Sequence, residues 1–265
     1  MKKNYRAKKK TETKSEIIDV ELASTKISTE ELPYENIDTE TDEFNCPEYA
    51  ESIFEYYRQR DNQFSVGDYI KDQPYINKQM RLLLVDWMVE VQQQLEFNHE
   101  ILYLSVKILD LYLNHKRIEK EKLQLLGGAA MLVACKFEER MAPPLDDFIF
   151  VSDNAYDRNE LVKMEIDILR TLEYDIGIPL SYTFLRRYAK CVKADMKFLT
   201  LARFILELSL QDYKFAPVKD SLKACAALYL ALKMATRYES MAKNNGNMIL
   251  TTDNLTDTEW VSFLL

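Results

Sequence analysis

The chain has 265 residues, of which 47% are apolar and 29% are charged, and its net charge is −8. This length and composition predict one or two globular domains with buried cores. The charge is uneven, because residues 1–14 carry seven cations against Glu12, a local +6, which leaves −14 for the remainder. An acidic body of this kind argues against a general nucleic-acid-binding protein.

Residues 1–44 are rich in Lys, Glu, Thr, Ser and Asp and contain few large apolar residues. Such a segment cannot bury enough apolar surface to fold, so it predicts a disordered tail. The basic residues 1–14 fit a nuclear import signal and fit a solvated terminus equally well. Free thiols and no signal peptide suit a reducing cell interior. The expected location is the nucleus, and also the cytoplasm.

A short helix is predicted over Cys46–Arg60, where Pro47 suits the first helical turn. Its apolar and aromatic residues form a stripe at helical spacing, made of Tyr49, Ile53, Tyr56 and Tyr57. A connector follows over Gly67–Pro74.

The apolar residues then recur with helical period to the end of the second half, and no useful alternating strand pattern occurs. Asn98 is a candidate cap for the second helix of this region, and Gly177 and Pro179 are expected to end the last. The predicted helices are Met80–Leu95, His99–Asn114, Leu123–Arg140, Leu145–Ser152 and Asp157–Leu172. The sequence therefore predicts an all-α protein.

The helix Leu123–Arg140 is expected to be central, because Gln124 is its one polar residue before Lys136. A helix that is apolar all round is buried on all sides, and this one is too short to span a bilayer. Gly127 and Gly128 should each cost about 1 kcal/mol in a helix, which suggests close approach of neighbouring helices. The helix ends in a charged cluster, which is expected at a surface edge of the bundle.

The second half repeats the first, since Ala226–Met234 aligns with Ala129–Phe137 at an offset of 97 residues. At the same offset, Ser181–Cys191 and Met196–Gln211 become the counterparts of the first two helices, which predicts a tandem fold. The second repeat is expected to be incomplete, lacking its last helix. The predicted divisions are a disordered tail over 1–44, a helix and connector over 45–79, and repeats over 80–176 and 177–265.

No pattern for catalysis or cofactor binding is present. The five glycines form no phosphate-binding loop. The four cysteines are far apart and only two histidines could assist them, so neither a metal site nor a cofactor is expected. The acidic pair Asp146-Asp147 lacks a second acid one turn later. The sequence predicts a binding protein and not an enzyme.

Four motifs carry a resemblance to a known family. Met80–Val91 resembles the MRAILVDWLVEV signature that opens the cyclin box, and Lys122–Leu125 and Lys136–Glu139 match two further cyclin motifs in order. Phe184–Lys190 resembles the FLRR segment of mitotic B-type cyclins. The resemblance covers about residues 47–237 and implies tandem five-helix cyclin boxes. It implies a regulatory subunit that binds and activates a cyclin-dependent protein kinase in the mitotic cell cycle.

The resemblance also implies roles for individual residues. Lys136 and Glu165 match the pair that hydrogen-bonds the kinase backbone, although Lys136 could instead pair with Glu138 or Glu139 on its own helix. Other kinase-binding positions, matched by motif, are Phe137, Val133, Leu169, Tyr174, Ile176, Tyr49, Ile53 and Tyr56.

A second surface is implied for Arg-x-Leu motifs of substrates and inhibitors. Its matched positions are Met80, Leu83, Leu84, Trp87, Glu90 and Gln124. The first four share a helix face that could equally be core, and the Glu90 carboxylate suits an arginine. The alternative to a kinase regulator is a helical transcription adaptor with the same tandem fold, which the acidic body disfavours. No nucleic-acid or membrane partner is expected.

Overall fold

The structure is a computed structural model that describes Asp38 and residues 46–242, with side chains up to residue 234. Apart from Asp38, the tail predicted over residues 1–44 lies outside this part of the chain. The end of the second repeat beyond residue 242 also lies outside it, and with it the prediction of a missing last helix. Across the described residues, the regular elements are all helical, which confirms the all-α prediction.

Nine α-helices are found in the described residues, together with short 3₁₀ turns at Tyr69–Asp72, Lys120–Lys122 and Tyr213–Phe215. In chain order the α-helices are α1 (Pro47–Asp61), α2 (Lys78–Gln94), α3 (His99–His115), α4 (Leu123–Glu138), α5 (Leu145–Val151), α6 (Arg158–Thr171), α7 (Ser181–Cys191), α8 (Met196–Gln211) and α9 (Asp220–Ala242). Every predicted helix is present, with ends that differ by at most two residues.

Polar side chains cap two of the helices that carry predicted binding positions, α2 and α6. The Asn77 side chain accepts a hydrogen bond from the Met80 backbone N–H at the start of α2. At the start of α6, Asp157 and Glu160 form a reciprocal capping box. Asn98 occupies the cap position of α3, but its side chain donates to Glu139 instead.

The end of α6 lies within one residue of the predicted Leu172, but the residues that end the helix are not the predicted Gly177 and Pro179. The helix stops before Gly177, because Glu173 and Tyr174 adopt left-handed backbone conformations with φ of 52° and 61°. Their amides donate back to the carbonyl oxygens of Arg170 and Leu169, which closes the last turn. Non-glycine residues adopt this conformation at a cost, so the surrounding contacts must hold it.

Helix α4 is the central helix of the first repeat, as predicted. Every residue from Leu125 to Cys135 is buried, and α4 packs against α2, α3, α5 and α6. The atoms nearest to its two glycines belong to side chains of neighbouring elements and not to their backbones. This corrects the prediction that the glycines let neighbouring helices approach closely. A Cβ at Gly127 would meet the Leu84 side chain, and a Cβ at Gly128 would meet the Tyr156 hydroxyl group.

The repeat prediction is confirmed by helix positions. Helices α3 and α8 begin at His99 and Met196, and α4 and α9 begin at Leu123 and Asp220, so both pairs are 97 residues apart. In the second repeat α9 packs against α7 and α8, as α4 packs against α2 and α3.

Buried charges join the two repeats. Arg81 forms a two-pronged ion pair with Asp110 and also donates to the carbonyl oxygens of Leu210 and Gln211 in the second repeat. Lys107 on α3 lies 2.7 Å from Asp220 at the start of α9. These side chains are nearly inaccessible to solvent, so each charge depends on its partner.

Candidate functional site

The centre of the candidate site is the ion pair between the last turn of α4 and the middle of α6. Lys136 Nζ lies 2.6 Å from Glu165 Oε1. The alternative pairing of Lys136 with its own helix is not formed, and Glu139 accepts from Asn98 instead. The predicted pair is therefore present in the free chain.

The geometry of this pair leaves one partner available. The Glu165 side chain is 11% exposed, whereas the Lys136 side chain is 46% exposed. Leu161, Met164 and Ile168 hold α6 against the core, so that Glu165 lies at the boundary. A lysine ammonium has three donors, and Glu165 uses one of them, so Lys136 can still donate to a partner's backbone.

A chain of contacts connects this pair to the other predicted kinase-binding positions. Leu169 lies one turn after Glu165 on α6, and its carbonyl oxygen accepts from the Tyr174 backbone N–H at 2.8 Å. Next to Tyr174, the Asp175 carboxylate forms an ion pair with Arg60 of α1, at 2.5 Å. The structure thereby links α4, α6 and α1 along one route.

The predicted positions divide into an exposed set and a supporting set. Tyr174 is 65% exposed, and the other exposed positions are Phe137, Tyr49, Ile53 and Tyr56. Val133 and Ile176 are buried in the core, and Leu169 is half-buried. The exposed set offers apolar area to a partner, and the buried set supports it.

Sequence reasoning missed two features of this region. Ile166 is exposed on α6 beside Glu165, and its spacing of three residues from Leu169 was the available signal. Arg60 was not singled out at all. Its guanidinium reaches Gly177 as well as Asp175, and no local pattern indicates a contact so distant in sequence.

Helix α1 packs on the body through one face. Ala50 and Asp61 are buried, and Phe54 and Tyr57 are half-buried against the core. The Asp61 carboxylate accepts from the backbone N–H groups of Asp220 and Ser221 and from the Ser221 hydroxyl group. It thus satisfies donors at the start of α9, where a helix favours negative charge. Tyr57 also packs edge-on against Phe184 of α7.

The predicted Arg-x-Leu docking surface is partly core. Leu84 is buried at 6% exposure, whereas its neighbour Leu83 is 58% exposed. Met80, Trp87 and Gln124 are half-buried, and Glu90 is exposed. The face is therefore a shallow surface with a buried floor. Glu90 has no ion-pair partner among the described residues, so its carboxylate is available to a cation.

No grouping of His, Cys, Asp and Glu side chains suited to a metal ion occurs among the described residues. None of the helices in that part of the chain has the length and apolar character needed to cross a membrane.

Family models match nearly all of the helical region. The model of the cyclin N-terminal domain matches residues 52–177, and that of the cyclin C-terminal domain matches residues 179–257. Their junction agrees with the boundary between the two repeats.

The chain is similar to curated proteins named G2/mitotic-specific cyclin-B3. It is 55% identical to that of Drosophila melanogaster over 193 residues, or 73% of this chain and 34% of the relative. The identity is 48% with that of Gallus gallus, covering 85% of this chain and 58% of the relative. The identity with that of Homo sapiens is 49%, covering 76% of this chain and 15% of the relative. The chain therefore spans less than two thirds of these relatives.

Solved structures share the fold at low sequence identity. A viral cyclin from herpesvirus saimiri has a TM-score of 0.64 at 21% identity, covering 80% of this chain and 87% of that one. A chain of the yeast RNA Pol II CTD kinase CTDK-1 complex has a TM-score of 0.54 at 16% identity, covering 74% of this chain and 64% of that one.

Proposed function

This chain belongs to the cyclin family, whose members are regulatory subunits and not enzymes themselves, and we propose that it binds and activates a cyclin-dependent serine/threonine protein kinase at the G2/M stage of the cell cycle. The relatives named above as G2/mitotic-specific support the stage. The observation that carries the proposal is the half-exposed Lys136, paired with Glu165 beside exposed apolar side chains.

Activation is proposed to act through the conformational equilibrium of the kinase. A kinase needs its own Lys–Glu ion pair in place for phosphoryl transfer, and its mobile regulatory helix supplies the glutamate. Lys136 would donate to the kinase backbone near that helix, while Phe137 and Tyr174 cover its apolar side. Because these contacts form only with the inward helix, binding shifts the kinase population toward the active conformer.

Substrate recruitment is the second part of the proposal. The exposed Leu83 and the half-buried Met80 and Trp87 would accept the leucine of an Arg-x-Leu motif. Glu90 would bind its arginine through a charge-assisted pair. Location in the nucleus, and also the cytoplasm, is proposed from the basic residues 1–14.

The test combines binding with activity. Purified catalytic subunits of cyclin-dependent kinases are titrated with the chain by calorimetry, and phosphorylation of a histone is measured with and without it. We expect one or more subunits to bind the chain and to phosphorylate the histone only in its presence. Binding without activation would contradict the proposed mechanism, and no binding to any subunit would contradict the proposed function.

A further inference from the structure

The guanidinium of Arg60 contacts two segments that are far apart in sequence. Its Nη2 lies 2.5 Å from Asp175 Oδ1, and Nε and Nη2 donate to the Gly177 carbonyl oxygen at 3.2 and 3.1 Å. Its faces lie against the rings of Tyr56 and Phe64, with centroid distances of 5.6 and 4.9 Å. The side chain is 15% exposed, so it is covered by its own protein and cannot be a major contact of a partner.

The segment that Arg60 holds has an unusual backbone. Tyr174 is left-handed, and two tight turns follow, in which Ile176 N–H donates to the Tyr174 oxygen and Ile178 N–H to the Ile176 oxygen. Non-glycine residues adopt such conformations only where surrounding contacts fix them. Arg60 supplies contacts at Asp175 and Gly177, the central residues of the first and the second of these turns.

Helix α1 needs the same contacts for a different reason. Ala50 and Asp61 are its buried residues, and Phe54 and Tyr57 are half-buried against the core, so apolar burial fixes its orientation only in part. Asp61 fixes its last residue to α9. Arg60 fixes the same end to the turn after α6, and its stacking on Tyr56 also orients an exposed aromatic side chain of α1.

We propose that Arg60 is a positioning residue that holds the exposed stripe of α1 and Tyr174 together as one preformed kinase-binding surface. This inference rests on the proposed function. Its physical basis is that a surface ordered before binding does not lose that freedom on binding, so the association is stronger. Without Arg60, α1 stays attached through Asp61 and the Tyr57–Phe184 contact, but it loses its link to the turn that carries Tyr174, so its position relative to Tyr174 is less restricted.

The test uses the whole chain with Arg60→Leu, Arg60→Lys and Asp175→Asn. The matched control is Lys116→Leu, which removes another ion pair between distant segments, Lys116–Asp167 at 2.6 Å, without touching α1. Calorimetry measures the affinity for a purified cyclin-dependent kinase catalytic subunit. Amide hydrogen exchange of the free chain compares α1 with α4, and thermal unfolding reports overall stability.

For Arg60→Leu we expect about tenfold weaker binding, the size typical of a lost charged hydrogen bond. Exchange should become faster in α1 and stay unchanged in α4, and the unfolding temperature should change little. Arg60→Lys should recover part of the affinity, because an ammonium can pair with Asp175 but lacks the planar fork that also reaches Gly177. Lys116→Leu should bind like the wild type.

Three results would overturn the inference. Arg60→Leu could bind the kinase as tightly as the wild type, or its α1 could exchange no faster. Alternatively, α1 and α4 could both exchange faster with a lowered unfolding temperature, which would show a general structural role. If the wild-type chain binds no kinase, the proposed function fails and this inference with it. If the wild type and Arg60→Leu bind the kinase equally well, the positioning role of Arg60 is overturned and the proposed function stands.

Discussion

Lys136 and Glu165 differ in exposure, and this difference predicts unequal effects on folding. In Lys136→Ala, the nearly buried Glu165 carboxylate loses its partner, which should destabilise the chain by about 1–3 kcal/mol. In Glu165→Ala, the half-exposed Lys136 turns to water, so the loss should be smaller. Denaturant unfolding followed by circular dichroism measures both. Equal losses of unfolding free energy in the two variants would contradict this difference and would show that Lys136 and Glu165 are equally solvated.

The same two residues should act as a unit in kinase activation. Each single alanine variant is expected to weaken kinase binding, and the double variant should lose less than the sum, because the pair can be broken only once. Calorimetry measures the affinities. Lys233→Ala is the matched control, since Lys233 occupies the equivalent position in the second repeat and lies 5.4 Å from the centroid of the Tyr229 ring. A larger effect of Lys233→Ala would move the kinase-binding surface to the second repeat.

At the scale of elements, α2 presents both a surface and a core face, which separates docking from stability. Leu83→Ala and Glu90→Ala change exposed side chains and should reduce phosphorylation of substrates with an Arg-x-Leu motif while leaving stability unchanged. Leu84→Ala empties a buried site against Gly127 and should cost about 2–5 kcal/mol.

The control for this prediction is a short peptide substrate without the motif, whose phosphorylation should persist in Leu83→Ala and Glu90→Ala. Equal loss for both substrates would mean that these residues support the kinase and do not dock substrates. A stable Leu84→Ala variant would contradict the burial of that side chain.

Helix α4 tolerates added volume differently at its two glycines. Gly128→Leu should destabilise the first repeat by about 1–3 kcal/mol or more, because its side chain would displace Tyr156, whose hydroxyl group donates to the Phe148 carbonyl oxygen. Gly127→Ala should cost less, since Leu84 is a flexible side chain. Thermal unfolding compares the two, and an unchanged midpoint for Gly128→Leu would contradict the close contact.

At the scale of the whole molecule, the helices and their repetition could be predicted because apolar period and caps are local signals. The Lys136–Glu165 pair could also be predicted, because the family motif indicated it. Helices α4 and α6 bring the two residues together. Arg60, Asp61 and Lys107 could not be predicted. In sequence each resembles a solvated polar residue on a helix, and its partner lies more than 100 residues away. Only the packing of α1 and of the second repeat against the first reveals them.

The contact between the repeats predicts a pH-dependent stability. Asp220 is buried between Lys107 and Lys223, at 2.7 and 2.8 Å. Burial opposes its ionisation, but the charges of Lys223 and Lys107 outweigh burial and lower the pKa of Asp220 below the usual value. A carboxyl group with a lowered pKa stabilises the folded chain above its usual pKa of about 4. That contribution is lost as the pH falls through the lowered pKa.

Asp220→Asn removes the charge at every pH and leaves two buried lysines without their counter-ion. At neutral pH it should cost about 3–5 kcal/mol, and the difference from the wild type should narrow as the pH falls below about 4. Urea unfolding across this range measures it. Asp146→Asn is the control, because Asp146 and its partner Arg158 are exposed and 3.5 Å apart, and surface pairs of this kind contribute little. If the unfolding free energies of the wild type and Asp220→Asn differ by the same amount at all pH values, Asp220 contributes by shape and hydrogen bonding. Its charge would then not hold the repeats together.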